Sequence, residues 1–196
     1  TLSKVGPAVT VFGSARTKST HPHYRIAEKA CYGIAKAGFA VIGGGGPGLM
    51  EAAAKGAKKA GGKSIGLNID LPFEQYPNRH LTTLINFRFF FCRKVCFIKY
   101  SSAVVIFPGG LGTMDEFFEL LTLIQTLKIK RIPVVLVDRK YWKGLLSWMR
   151  STVLKHGYIS PEDMNLFTTA DSADQIVRII RKTTVQYSIL EYADRI

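Results

Sequence analysis

The chain has 196 residues, of which 47% are hydrophobic and 21% charged, and this is enough for one well-buried soluble domain. No stretch is apolar over the length of a membrane helix, no signal peptide is recognisable, and three cysteines form no disulfide framework, so we expect a cytoplasmic protein. The net charge of +13 suggests an anionic ligand, which could be a phosphorylated metabolite, a nucleic acid or a membrane surface. Because Lys and Arg are spread along the chain, however, most of them are better explained as a solvated basic surface.

Short apolar strands alternate with helical patterns along the chain. A strand at 9–12 ends in a Gly13-Ser14 turn, a helix covers 22–37, and a strand at 39–42 leads into a glycine run and an alanine-rich helix. Further strands are expected at 64–69, 83–87, 103–107 and 132–137, with helices at 89–100, 114–127, 142–154 and 171–181 and a helix start at 160–163. Such alternation predicts an α/β protein: a single-domain, Rossmann-like, doubly wound parallel sheet with helices on both faces.

We assign residues 1–182 to this domain and 183–196 to a C-terminal tail. The long irregular segment 70–80 is either a lid over a site or a plain surface connection.

The most informative stretch is Pro108-Gly-Gly-Leu-Gly-Thr-Met-Asp-Glu116, between an apolar strand and an amphipathic helix. A strand, a glycine turn and a helix start direct free backbone N–H groups and a positive dipole end to one place, where a phosphate binds well. Glu116, one turn into the helix, would lie near the rest of such a ligand. The spacing Thr113-x-x-Glu116 also fits a capping box, so cap and catalyst are about equally supported.

Another glycine loop, the first in chain order, follows the second strand, at Gly43 to Met50. It fits the dinucleotide pattern G-x-G-x-x-G, although that pattern usually follows the first strand. A P-loop is excluded because no Gly-Lys-Ser/Thr follows the glycines.

Arg93 interrupts a helix that is apolar on nearly every side. Such a helix should be buried, and a buried guanidinium needs an anionic or hydrogen-bonding partner. Its partner is either a structural acid or a ligand phosphate, and the fork of arginine favours the ligand. Ser14 and Arg16, after the first strand, are further candidate ligand contacts at the same sheet edge.

With both glycine loops and Arg93-Lys94 in place, the sequence resembles the LOG (Lonely Guy) family, the cytokinin riboside 5′-monophosphate phosphoribohydrolases once labelled possible lysine decarboxylases. The resemblance covers about residues 9–171. It implies hydrolysis of the N-glycosidic bond of a nucleoside 5′-monophosphate, such as AMP or isopentenyladenosine monophosphate, by a homodimer that needs no metal or organic cofactor. Phe91-Cys92 stands where many plant members have His-Gln, which is nearer the bacterial branch and leaves the preferred base open.

The resemblance also implies site residues. The catalytic pair would be Arg93 and Glu116. Residues expected to bind substrate or phosphate are Gly45, Gly46, Met50, Lys94, Gly109, Gly110, Gly112 and Thr113.

Two other functions remain open on the sequence. The same fold could serve as a nucleotide or cofactor carrier without turnover, or it could bind single-stranded nucleic acid. The second function requires exposed aromatic residues on a basic stripe, whereas the aromatics here cluster in apolar helices.

Overall fold

Seven parallel strands form the centre of the molecule in the computed structural model, which describes residues 2–70 and 76–182. In chain order the strands are β1 (Ala8–Phe12), β2 (Ala40–Gly43), β3 (Ser64–Ile69), β4 (Thr83–Phe87), β5 (Ala103–Ile106), β6 (Val134–Val137) and β7 (Thr168–Ala170). They lie in the order β4-β3-β2-β1-β5-β6-β7. The predicted doubly wound parallel sheet is therefore confirmed.

Helices cover both faces of the sheet. They are α1 (Pro22–Lys36), α2 (Leu49–Lys59), α3 (Phe90–Lys99), α4 (Leu111–Gln125), α5 (Arg139–Trp148) and α6 (173–182). Buried residues of α1, α2 and α6 form one apolar cluster with the sheet, and those of α3, α4 and α5 form the other. The central strands are buried on both faces, which explains why they are continuous apolar runs rather than alternating ones.

The order of the strands reverses between β1 and β5. These two strands pair directly, with Val9 opposite Ala103 and Phe12 opposite Ile106. The chain moves outward from β1 in one direction through β2 and β3, and from β5 in the other through β6 and β7. Ligands of doubly wound sheets bind in the crevice at the carboxyl ends of the strands at this point, so the loops after β1 and β5 are the place to look for a site.

Several predicted boundaries need correction. The short strand β7 was not predicted, and α4 begins at Leu111 rather than at residue 114. The helix expected at 142–154 begins at Arg139 and continues into a π-helical turn at Met149–Leu154. The capping pattern of Ser160 and Asp163 is confirmed, on a 3₁₀ helix. The predicted tail 183–196 and residues 71–75 of the irregular segment 70–80 lie outside the described residues.

The expectation that α3 is buried is wrong. Phe91 is 66% exposed and Val95 59% exposed, whereas Phe97 alone among the helix residues is fully buried. The helix thus packs on the sheet by one edge and turns a broad apolar face outward.

Within the described ranges, no helix combines the length and the apolar character required to cross a bilayer.

Candidate active site

A cavity of about 570 Å³ opens at the carboxyl ends of β1 and β5. Its walls come from four parts of the chain: the loop after β1, the glycine loop after β2, α3, and the start of α4. The predicted site residues that line it are Ser14, Arg16, Met50, Arg93, Gly110, Gly112, Thr113 and Glu116. Residues far apart in sequence are therefore brought together at the crevice expected for a ligand.

Four other predicted site residues do not line this cavity. Gly45 and Gly46 are buried within their loop, and their carbonyl oxygens accept hydrogen bonds from Asn78. Gly109 lies just behind the wall, where its carbonyl accepts a hydrogen bond of 2.6 Å from the Tyr141 hydroxyl. Lys94 points to the outer side of α4 and forms ion pairs there.

The second glycine loop presents the bare start of α4 to the cavity. Gly110 is the N-cap residue, and no side chain caps the helix. The first backbone N–H groups of a helix have no partner within it, and Gly110, Leu111 and Gly112 are all exposed. The combination of free donors and a positive dipole end is suited to an anion.

The capping-box interpretation of Thr113 and Glu116 is wrong. Because α4 begins at Leu111, Thr113 lies inside the first turn instead of before it. Within residues 2–70 and 76–182, the Glu116 carboxyl makes no hydrogen bond. A carboxyl that caps nothing is available for another purpose.

Glu116 is buried in the cavity wall, with only 8% of its surface exposed. Burial raises the pKa of Glu116 to about 7, against the opposing effect of the cations Arg93 and Lys94. Near neutral pH the group is therefore divided between its acid and its carboxylate form. A pKa near the operating pH is what a group that exchanges protons or stabilises developing charge requires.

Arg93 lines the cavity from α3, and two contacts hold its side chain in place. Its Nε–H donates a hydrogen bond of 2.8 Å to the carbonyl oxygen of Leu67 in β3, and its guanidinium lies over the Phe97 ring at 5.0 Å. Burial lowers the pKa of Arg93 from its ordinary value, against the effect of Glu116. An arginine nevertheless stays protonated in proteins. Its Nη groups thus supply a fixed positive charge with donors to the cavity.

The backbone of Ser14 connects the two glycine loops. Its N–H donates to the carbonyl oxygen of Pro108, and its own carbonyl oxygen accepts from the N–H of Leu49, both at 3.1 Å. Its hydroxyl accepts a hydrogen bond from the N–H of Arg16. The loop after β1 thereby fixes the position of both helix starts.

Some residues of the cavity were not predicted. Gly44 is one of the residues that line it. A Cβ at this position would lie 2.7 Å from Nη2 of Arg93 and 2.5 Å from Sδ of Met50, so glycine makes room for both side chains. Phe90 and Leu111 add apolar surface at the mouth. The run of four glycines hinted that something approaches the backbone closely, but the sequence could not say which glycine makes room for Arg93.

Across the described part of the chain, no group of three or more His, Cys, Asp and Glu side chains is arranged to hold a metal ion.

Comparison with known proteins agrees with this geometry. The family model described as "Possible lysine decarboxylase" matches residues 50–180. A cytokinin riboside 5′-monophosphate phosphoribohydrolase of Mycobacterium tuberculosis is 30% identical over 156 residues, which make up 78% of this chain and 82% of that protein. The chain belongs to the LOG family.

A second LOG protein, the cytokinin riboside 5′-monophosphate phosphoribohydrolase of Rhodococcoides fascians, is 29% identical over 89% of both chains. Among solved structures, the molybdenum cofactor binding protein of Rippkaea orientalis has a TM-score of 0.66 at 24% identity, covering 91% of this chain and 97% of that one. The structural likeness shows that the two proteins share a fold. LOG relatives are thus named as hydrolases, while a protein of the same fold is named for binding a cofactor.

Proposed function

We propose that this LOG-family chain hydrolyses the N-glycosidic bond of a nucleoside 5′-monophosphate of the adenosine or cytokinin riboside type. Water is consumed, and the products are the free base and ribose 5-phosphate. One observation carries the proposal: a helix start suited to phosphate, a buried carboxyl with a pKa of about 7 and a fixed guanidinium line the same cavity. The names of its relatives support the same reaction.

The 5′-phosphate would bind at the start of α4. Backbone N–H groups of Gly110 to Gly112 and the Thr113 hydroxyl would donate to its oxygens, with the dipole of a 15-residue helix behind them. Arg16, after β1, could add a positive charge from the opposite wall. Gly45, Gly46 and Gly109 would contribute through the shape of the loops that carry them. This grip would fix the ribose relative to Glu116, about one helical turn away.

Glu116 and Arg93 would act on the bond that breaks. Departure of the base leaves positive charge on the ribose ring, and a carboxylate held beside the ring stabilises it. The same carboxylate can orient the attacking water or the ribose hydroxyls. Arg93, which keeps its proton, would polarise or position the substrate rather than transfer a proton. The apolar groups of Phe90, Met50 and Leu111 would then surround the rest of the nucleotide.

We further propose that the chain works as a homodimer in the cytoplasm. Phe90, Phe91 and Val95 of α3 are exposed, as is Phe89, the N-cap of this helix, and Phe118 on the neighbouring α4 is 38% exposed. Apolar faces of this extent are typical of interfaces, and a second copy is the occupant that the LOG resemblance implies. Phe91→Asp should then reduce the mass in solution by half in light-scattering measurements, whereas Trp148→Asp, on α5, should not.

The test of the function is a hydrolysis assay. The protein is incubated with AMP and with isopentenyladenosine monophosphate, and free base and ribose 5-phosphate are measured. Release of both products is expected, and Glu116→Gln should reduce it by about 100-fold or more. Glu51→Gln, in the first turn of α2 and outside the cavity lining, is the matched control and should retain the activity.

Tight binding of AMP with no release of base from either nucleotide would overturn the proposal. That result would favour a carrier instead. Full activity of the Glu116→Gln variant would remove Glu116 from the reaction.

A further inference from the structure

A cluster of three charged side chains lies immediately outside the cavity, between α3 and α4. The Nζ of Lys94 is 3.0 Å from Oδ2 of Asp115 and 3.0 Å from Oε2 of Glu119, and it donates a hydrogen bond of 3.0 Å to Oδ1 of Asp115. The Lys94 side chain is only 17% exposed, although both its acidic partners reach solvent. A lysine buried to this degree is normally paired, so this is a built contact and not a solvated surface charge.

The cluster is adjacent to both proposed catalytic residues. Lys94 follows Arg93 directly on α3, while Asp115 directly precedes Glu116 on α4 and Glu119 lies three residues beyond it, on the next turn. One lysine therefore connects the two helices that carry Arg93 and Glu116. It does so at the level of the reacting groups.

The charges of the cluster act on Glu116. Asp115 and Glu119 disfavour a third negative charge beside them and raise the pKa of Glu116, whereas Arg93 and Lys94 lower it. Arg16 lines the same cavity from the loop after β1. Although burial opposes it, the hydrogen bond to Asp115 and the close contact with the Glu119 carboxylate raise the pKa of Lys94 itself, so the ammonium stays charged.

We propose that Lys94 is a positioning residue: it holds α4 against α3 through Asp115 and Glu119 and offsets part of the negative charge of these two acids, so that Glu116 can face Arg93 as a carboxylate. The role differs from the substrate contact that the family resemblance implied for Lys94. It rests on the proposed function only in giving Arg93 and Glu116 catalytic roles. The effect on the ionisation of Glu116 follows from the ion cluster alone.

The test compares three variants with the unsubstituted protein. Lys94→Met removes the charge, Lys94→Arg restores it, and Lys55→Met breaks a comparable lysine pair, Lys55 with Glu28 at 3.1 Å, on the other face of the sheet. The Glu116 carboxyl is titrated by ¹³C NMR, its signal assigned by difference from Glu116→Gln. In parallel, kcat and KM are measured across pH with the nucleotide that the protein hydrolyses.

In Lys94→Met the titration midpoint of Glu116 should move to higher pH, and kcat at neutral pH should fall about tenfold or more with little change in KM, since the phosphate grip lies elsewhere. Lys94→Arg should recover the midpoint and most of kcat. Lys55→Met should leave both as they were. If Lys94→Met does not fold, the double variant Asp115→Asn with Glu119→Gln provides the test, because it should move the midpoint to lower pH.

An unchanged titration midpoint of Glu116 in Lys94→Met, or in the double variant, would overturn the proposal. Lys94 would then only connect α3 and α4 structurally. A shifted midpoint in a protein that hydrolyses neither nucleotide would support the ion cluster while the proposed function fails. The two proposals can therefore be judged separately.

Discussion

The two glycine loops of this chain share one pattern and serve different purposes. Each follows a strand and opens a helix, but Gly43 to Gly46 are buried, whereas Gly110 and Gly112 are exposed to the cavity. The helix after the first loop begins with Leu49, which is fully buried, and the helix after the second begins with Leu111, which is 90% exposed. The first loop is mostly buried, whereas the second is open to the cavity, where we propose that the phosphate binds. A glycine motif therefore does not identify a phosphate site until the space above it is known.

Backbone geometry separates the loops in the same way. Gly48, the N-cap of α2, has φ of 67°, and its α-carbon faces the backbone of Ser14 and Ala15. By contrast, a Cβ on Gly110 or Gly112 would meet no atom within 4 Å. The first loop needs glycine at position 48 in order to fold, whereas the space beside Gly110 and Gly112 in the second loop is open.

The largest effect should come from Gly48→Ala. A side chain would adopt a left-handed conformation and place its Cβ 2.5 Å from the carbonyl oxygen of Ser14. We expect a loss of about 3 to 5 kcal/mol in the free energy of unfolding, from backbone strain and overpacking together. Urea denaturation measures it. Gly112→Ala is the matched control and should be neutral or slightly stabilising; equal losses in both variants would abolish the distinction between the loops.

The second prediction concerns α4, the helix after the second loop, and the stability that is lost by burying the Glu116 carboxyl on it. The pKa of Glu116 is raised to about 7 in the folded protein, so the stability associated with this group is fully present below about pH 4.5 and is lost as the pH rises through 7. Glu116→Gln removes that loss. The variant should gain on the order of 3 kcal/mol at pH 8 relative to its difference from the wild type at pH 4.5.

Denaturation at the two pH values measures this gain. Glu51→Gln, in the first turn of the helix after the other loop, is its control and should show no comparable gain. If the free energies of unfolding of Glu116→Gln and of the wild type differ by the same amount at both pH values, the raised pKa of the buried Glu116 carboxyl is contradicted.

The third prediction tests the space above the second loop. Gly112→Asp should fold, because nothing obstructs its side chain, but it places a carboxylate where the phosphate is expected. Binding of AMP should weaken by about 10- to 100-fold, and the effect should shrink at high salt. Calorimetry at two salt concentrations measures this. Gly144→Asp, on α5 with equally open space, adds the same charge elsewhere and should bind AMP normally; similar weakening in both would mean that net charge alone is responsible.

The smallest effect is expected at Asn78, which holds the first loop from above. Its Nδ2 donates to the carbonyl oxygens of Gly45 and Gly46 at 2.9 and 3.0 Å. Asn78→Ala should cost about 1 to 2 kcal/mol of stability. Asn78→Asp keeps the oxygen that accepts from the N–H of His80 but loses the N–H donors to the loop. If only the alanine variant loses stability, the energy belongs to the His80 contact and not to the loop.

Periodicity was sufficient for the sheet because its strands are short, apolar and separated by helices of ordinary length. It missed β7, since Thr168 and Thr169 carry no apolar signal and the strand is only three residues long. It misplaced the start of α4 because Thr113-x-x-Glu116 matches a capping box, whereas the N-cap of the helix is Gly110 and its first residue is Leu111. Local capping rules are weakest at a helix start such as this one, which has no side-chain cap.

The site was only partly predictable for a related reason. The placement of Arg93 and Glu116 at one cavity follows from the parallel topology, which brings strand ends to one edge. The partners of Lys94, on another helix, depend on how α3 and α4 pack. Apolar residues of α3 look the same in sequence whether they face a core or a surface, so Phe91 and Val95 were assigned to the wrong environment.

The connection through Ser14 has a consequence for protein engineering. Only main-chain atoms link this residue to Pro108 and Leu49, so the connection does not depend on which side chain occupies position 14. That side chain nevertheless borders the cavity. Position 14 is therefore a natural place for a substitution library, in which ligand preference is varied while the scaffold that joins the two helix starts is preserved.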